Sequence, residues 1–320
     1  MARNQRKVGE HESEILKALP EACRSEASAV AFIEGLRWNG SPACPRCGDT
    51  SVYAMKDRQG NRSARFLWKC EGCNRQFTVR IGTIFEDSRI PLRIWCHAYW
   101  RACSSKKGVS ALQIHRETGV SYKSALFLMH RIRFAMATDH STPPKLRTVV
   151  EADETYVGGK PRKGVHHTER EKFTTKVPVM AVVERGGEVR TRRLERVTKA
   201  NVRKALHELV DRHATLYTDE AAHYKFLGRP WMGGHQSVNH SAYEYARGNV
   251  HTNTVEGFFS ILKRGLYGTF HSVSKKHLHR YLAEFEFKYN TRKLDDGART
   301  LAAIQGSEGK RLTYRDQTRR

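Results

Sequence analysis

The sequence predicts an α/β protein: a mixed five-stranded sheet with helices, preceded by a β zinc-binding module and an α-helical region. Three observations lead there. Four of the seven cysteines stand as two CxxC pairs with 22 residues between them. Residues 91–136 carry apolar side chains at helical spacing, interrupted by one glycine. From residue 148 onward, β-branched runs and amphipathic stretches follow in the order strand, strand, strand, helix, strand, helix.

The cysteine pairs are Cys44-Pro45-Arg46-Cys47 and Cys70-Glu71-Gly72-Cys73. Two residues between thiolates let both sulfurs face one ion from a tight turn, and two such turns complete a tetrahedral sulfur site, which suits zinc. Gly48 and Gly72 fit the turns. Ser51–Met55, Arg65–Cys70 and Gln76–Val79 read as the short strands of a zinc ribbon. The chain begins with a basic, polar stretch that lacks the apolar core of a signal peptide, which disfavours disulfides. Four thiolates leave no open position for catalysis, so the zinc is structural. Cys96 and Cys103 lie in an aromatic helical stretch and read as buried apolar residues.

Residues 89–140 read as a helix-turn-helix. Ile94, Trp95, Ala98 and Tyr99 recur at helical spacing. Gly119 sits where a turn between two short helices needs a positive φ, and Ser121 suits the N-cap of the next helix. That helix has Ala125, Leu126, Met129 and Ile132 for its core face. Lys123, His130, Arg131 and Arg133 are expected on an outer, basic face, with Lys123, Arg131 and Arg133 as DNA contacts. A plain helical hairpin would show the same periodicity.

Charge points the same way. The chain carries 57 Lys and Arg against 33 Asp and Glu over 320 residues, a net +24. Eight of the basic residues fall between Arg185 and Lys204, against two acids, and others fill the stretch from Lys160 to Lys176. A polyanion is the expected partner, with DNA or RNA the commonest. No apolar run approaches the ~18 residues of a membrane span, so no membrane partner is expected and the expected compartment is the cytoplasm, at the nucleoid.

The second half places acids inside apolar elements. Thr148–Gly159 is strand-like and carries Glu151, Asp153 and Glu154; Val177–Glu184 and Val189–Val197 form a hairpin around Gly186-Gly187; Asn201–His213 is a helix. Thr215–Glu220 is a short strand with Asp219 near its end. Asn253–Arg264 is a helix with Val255, Phe258, Phe259 and Leu262 inward, while Asn253, Glu256 and Lys263 share another face. This order suggests an RNase-H-like fold, with Asp153, Asp219 and Glu256 forming an acidic cluster. Clustered carboxylates repel unless cations lie between them, and hard divalent ions with oxygen ligands, magnesium by default, fill that role. Alone, Asp219 reads as a cap and Glu256 as a surface partner of Lys263 or Arg264; Glu151, Glu154 and Glu220 are competing ligands. Tyr281–Tyr289 reads as an aromatic helix that closes the domain.

On these motifs the chain resembles the DDE transposases of bacterial insertion sequences, in the zinc-ribbon branch related to the Merlin transposons, the ISXO2-like transposases. The resemblance runs over nearly the whole chain. It is carried by Phe32–Trp38 ahead of the first knuckle, Gly82–Asp87 after the second, Asp153–Lys160, Tyr217–Asp219, Val238–Ser241, Asn253–Glu256 and Leu262–Arg264. The Asp219-to-Glu256 gap of 36 residues, and Lys263 seven after Glu256, fit that family. The resemblance implies DNA nicking and strand transfer at the element's terminal inverted repeats. Asp153, Asp219 and Glu256 would hold two magnesium ions, with manganese as a substitute, and Lys263 and Arg264 would grip DNA. Asn253 is the weaker candidate for the third ligand. His235 and His240 would be structural or contact phosphate. A homodimer or larger assembly is implied, since two ends are joined at once. The implied domains are a helical segment (1–40), the zinc ribbon (41–88), the helix-turn-helix (89–140), the catalytic domain (145–300) and a basic tail (301–320).

Two other readings compete. A zinc-ribbon and helix-turn-helix regulator without catalysis explains the first 140 residues and the charge, but not the recurring acids. Another nuclease on the same fold would share the metal chemistry without this ribbon.

Overall fold

The structure is a computed structural model; residues 10–138, 145–159, 176–224, 231–244 and 246–318 are described. Most of the basic stretch from Lys160 to Lys176 and the start of the chain lie outside them. The chain forms two compact units. The first comprises Met1–Ala137 with Lys293–Arg320, the second Thr138–Arg292. No helix among the described residues is long and apolar enough to cross a membrane.

In the first unit, α1 (Glu10–Arg24) and α2 (Glu26–Trp38) precede the ribbon. The Ser25 hydroxyl caps α2, accepting from the Ser28 amide at 3.0 Å. Strands β1 (Val52–Ala54), β2 (Trp68–Cys70) and β3 (Gln76–Phe77) form an antiparallel sheet in that order, each shorter than its sequence pattern. Its apolar side is filled by Trp38, Trp68 and Phe77, packed edge to face. Glu34 of α2 accepts from the Trp68 indole at 2.7 Å and from Arg62, which clasps helix and ribbon together.

Three helices follow: α3 (Leu92–Ser104), α4 (Ala111–Thr118) and α5 (Tyr122–Met136). Cys96 and Cys103 are buried in α3. Ser110 caps α4, Gly119 ends it at φ +74°, and Ser121 caps α5. The C-terminal helices α9 (Asp296–Gln305) and α10 (Tyr314–Thr318) also pack on α5. The Lys310 ammonium closes the C-terminal end of α5 by donating to the carbonyls of Ala135 and Ala137 at 2.8 and 2.7 Å.

The second unit is an RNase-H-like fold. Its sheet runs β6 (Val189–Arg193), β5 (Val177–Glu184), β4 (Val149–Val157), β7 (Thr215–Asp219), β8 (His235–Val238). The first three strands are antiparallel, while β4, β7 and β8 are parallel. Val150, Ala152, Met180 and Val182 face α6 (Lys199–Leu209), and the alternate residues Val157, Val179, Ala181 and Val183 face α7 (Asn253–Gly265) and α8 (Leu278–Asn290). A short hairpin, β9 (Ala246–Arg247) and β10 (Val250–His251), leads into α7.

Candidate active site and zinc site

In the ribbon, the four cysteine sulfurs all lie within 4.8 Å of one another, with Cys44 and Cys73 at 3.7 Å and Cys47 and Cys70 at 3.5 Å. A tetrahedron with Zn–S bonds of ~2.3 Å has edges of about 3.8 Å, so this quartet fits zinc. Gly48 takes a positive φ of +79°, as its turn needs. In the second knuckle the left-handed residue is Asn74, at φ +54°, and not Gly72. Gly72 instead lies against the Asp49 carboxylate, which a Cβ there would push aside.

In the second unit, Asp153 lies within β4 and Asp219 ends β7. Val149, Val150 and Glu151 pair with Thr215, Leu216 and Tyr217. Carried two residues on, that parallel register sets Asp153 beside Asp219. Asp153 alternates with the inward Ala152 and Glu154, so it projects toward α7. Glu256 is exposed on α7 and accepts from the Thr252 hydroxyl at 2.9 Å. Asp153, Glu256, Lys263 and Arg264 line one open cleft of about 450 Å³. Asn253 is exposed at the start of α7 and does not line the cleft.

Burial pushes the Asp153 carboxyl up to about 7, opposed by a hydrogen bond from the Glu154 amide and reinforced by the charges of Asp219, Glu154 and Glu256. Asp219 is raised too, by burial and by Glu154 and Glu220. Among the described residues, only the cysteine quartet brings three or more His, Cys, Asp or Glu ligand atoms all within 4.8 Å of one another. The three carboxylates are spread wider than that.

The competing acids have other partners. Glu151 is fully buried and accepts from the amides of Thr254 and Val255 at 2.7 and 3.1 Å, from the Thr254 hydroxyl at 2.7 Å, and from Arg185 at 2.7 Å. It thereby caps α7 and fixes the helix that carries Glu256. Glu154 points to the other face of the sheet, where the Tyr224 hydroxyl donates to it at 2.5 Å and His223 lies at 3.0 Å. Glu220 accepts from the Ser241 amide at 3.0 Å. No sequence signal separated these roles, because all three acids stand in or beside β-branched runs. His235 bonds the Thr218 hydroxyl at 2.9 Å and so ties β8 to β7; the His240 side chain lies outside the described residues.

The outer basic face expected on α5 is corrected by the structure. Arg133 and His130 are buried, at 1% and 3% exposure. Arg131 donates to the carbonyls of Ile84 and Glu86, both at 3.0 Å. Lys123 does stay exposed, over the Tyr314 ring. The reason is that α5 is covered on several sides, by α3, α4, α9 and α10.

Comparison with known proteins gives the same two parts. Residues 145–290 match the family model described as an ISXO2-like transposase domain, and residues 24–76 match the transposase zinc-ribbon domain. A relative from Halobacterium salinarum, an uncharacterized protein in transposable element ISH50, is 30% identical over 82% of this chain and 90% of its own length. Domains of these two kinds imply action on DNA.

Proposed function

The chain belongs to the ISXO2-like transposase family, and on that premise we propose that it nicks DNA at the element's terminal inverted repeats and transfers the freed 3′-hydroxyl to target DNA. One observation carries this reading: Asp153 and Asp219 share a level on neighbouring strands, and Asp153 shares a cleft with Glu256 and Lys263.

The donor set is all oxygen and carries excess negative charge, which fits hard divalent ions such as magnesium. Asp153, Asp219 and Glu256 would hold such ions between them, and a pair of them would serve an in-line phosphoryl displacement. When bound, such ions would activate the attacking oxygen and stabilise the leaving one. The chain's own groups do the rest. Glu151 holds α7 so that Glu256 faces Asp153. Lys263 lies seven residues, or about 10 Å, along α7 from Glu256 and holds a phosphate of the DNA end. Arg264 supports that grip. Lys123 on α5, with the ribbon, contributes to holding the end, and zinc is the brace of the ribbon. Joining two ends at once calls for a dimer or larger assembly.

The test is nicking of a duplex that carries the element's own end. Magnesium-dependent release of a 3′-hydroxyl by the wild type, lost in Glu256→Gln with end binding kept, is the expected result. Equal nicking by both proteins would remove Glu256 from the reaction.

A further inference from the structure

Arg193, at the end of β6, projects from the same sheet face as Asp153. It pairs with Val179, and Asp153 pairs with Ala181; both partners lie in the apolar layer against α7 and α8. Two strand spacings of ~4.8 Å and two residues of ~3.3 Å separate Arg193 from Asp153, roughly 12 Å across the sheet. The Arg193 guanidinium donates to the Lys275 carbonyl at 3.3 Å, which ties the sheet edge to the turn ahead of α8. Arg193, Lys275 and Lys276 are all exposed there.

Positive charge is concentrated at this spot. His277 and His279 are held below the ordinary histidine value by burial and then by Arg280, with Lys276 acting on the first and Arg193 on the second. The two acids of α8 are buried away from the surface: Glu284 pairs with Lys288, and Glu286 accepts from Thr191. The sheet edge is thus a cationic shelf beside an acidic cleft.

We propose that Arg193, Lys275 and Lys276 form the seat of the target duplex, held through its phosphates. The partner is DNA by charge complementarity, since a duplex presents one negative charge per ~1.7 Å of axis. The shelf is built from a strand edge and a turn with point charges on flexible stems. Such contacts position a backbone and read no bases, which suits a partner of no fixed sequence. Arg193 and Asp153 lie on the same side of the sheet, so the shelf and the cleft flank the helices that cover that side. This proposal rests on the strand-transfer reading above.

The experiment uses the full chain and the Lys275→Gln/Lys276→Gln variant. Without metal, binding to a random-sequence duplex is followed against salt. Each lost phosphate contact lowers the slope of log affinity against log salt by ~0.9, so a drop of nearly two is expected. The Lys275→Arg/Lys276→Arg variant should keep the wild-type slope. With magnesium and a pre-nicked end, transfer into target should fall in step with target affinity while nicking of an uncut end is unchanged. An unchanged slope would overturn the proposal, as would equal loss of nicking and transfer. So would altered self-association with DNA binding intact, which would assign the shelf to a second copy of the chain. If wild type binds with the expected slope yet neither nicks nor transfers, the strand-transfer reading fails instead.

Discussion

Asp219 closes β7 at the level of Asp153 on the adjacent parallel strand, two residues beyond the Glu151–Tyr217 pair. Burial raises both carboxyls from their ordinary value, and the charge of Asp219 adds to the rise at Asp153.

A pH signature follows from that raised value. Asp153 titrates near 7 in the fold and near ~3.9 in the unfolded chain. Its favoured state in the fold is the neutral one. In metal-free protein its contribution to stability is therefore complete below pH ~4 and is lost as the pH rises to about 7. In chelator, the unfolding midpoint of wild type should fall relative to Asp153→Asn across that window, and magnesium at pH 7 should remove the difference. Parallel stability curves for the two proteins would contradict this.

Glu151 should matter for the fold before it matters for chemistry. Glu151→Ala leaves Arg185 and two amides of α7 without their buried partner. Breaking a buried charge pair in this way costs about 3–5 kcal/mol. Urea unfolding should show a loss of that order. A loss below ~0.5 kcal/mol would mean that Glu151 does not hold α7.

The ribbon should stand or fall with its metal. Cys70→Ser removes one of four sulfurs, and zinc-site free energy is folding free energy. The variant should lose bound zinc and the ordered Trp38–Trp68–Phe77 packing, read by tryptophan fluorescence, while magnesium binding in the second unit is unchanged. Full zinc content with unchanged fluorescence would contradict it.

What the sequence made legible was local pattern. The CxxC pairs, the alternation of β4 and the apolar stripe of α7 are each written within a dozen residues. What it hid was long-range cover. The burial of Arg133 depends on how many elements surround α5, two of which come from beyond residue 295. Helical periodicity carries no such information. The role of Glu151 depends on amides 103 and 104 residues away. Strand β8 escaped notice because its residues, His235-Gln236-Ser237-Val238, are mostly polar, and as an edge strand it fully buries only Val238. In the second knuckle a glycine marks the turn in the sequence, yet the left-handed position falls to Asn74, two residues on.

The central claim is that Asp153, Asp219 and Glu256 together perform strand transfer. Its most direct test is a magnesium-dependent joining assay with DNA carrying the inverted repeats that flank the encoding locus, comparing wild type with Asp219→Ala. Wild type should give joined products, Asp219→Ala at least about a thousandfold fewer, equivalent to ~4 kcal/mol of barrier, with equal end binding by both. Joined products from Asp219→Ala at the wild-type rate, or end binding without products from either protein, would contradict it.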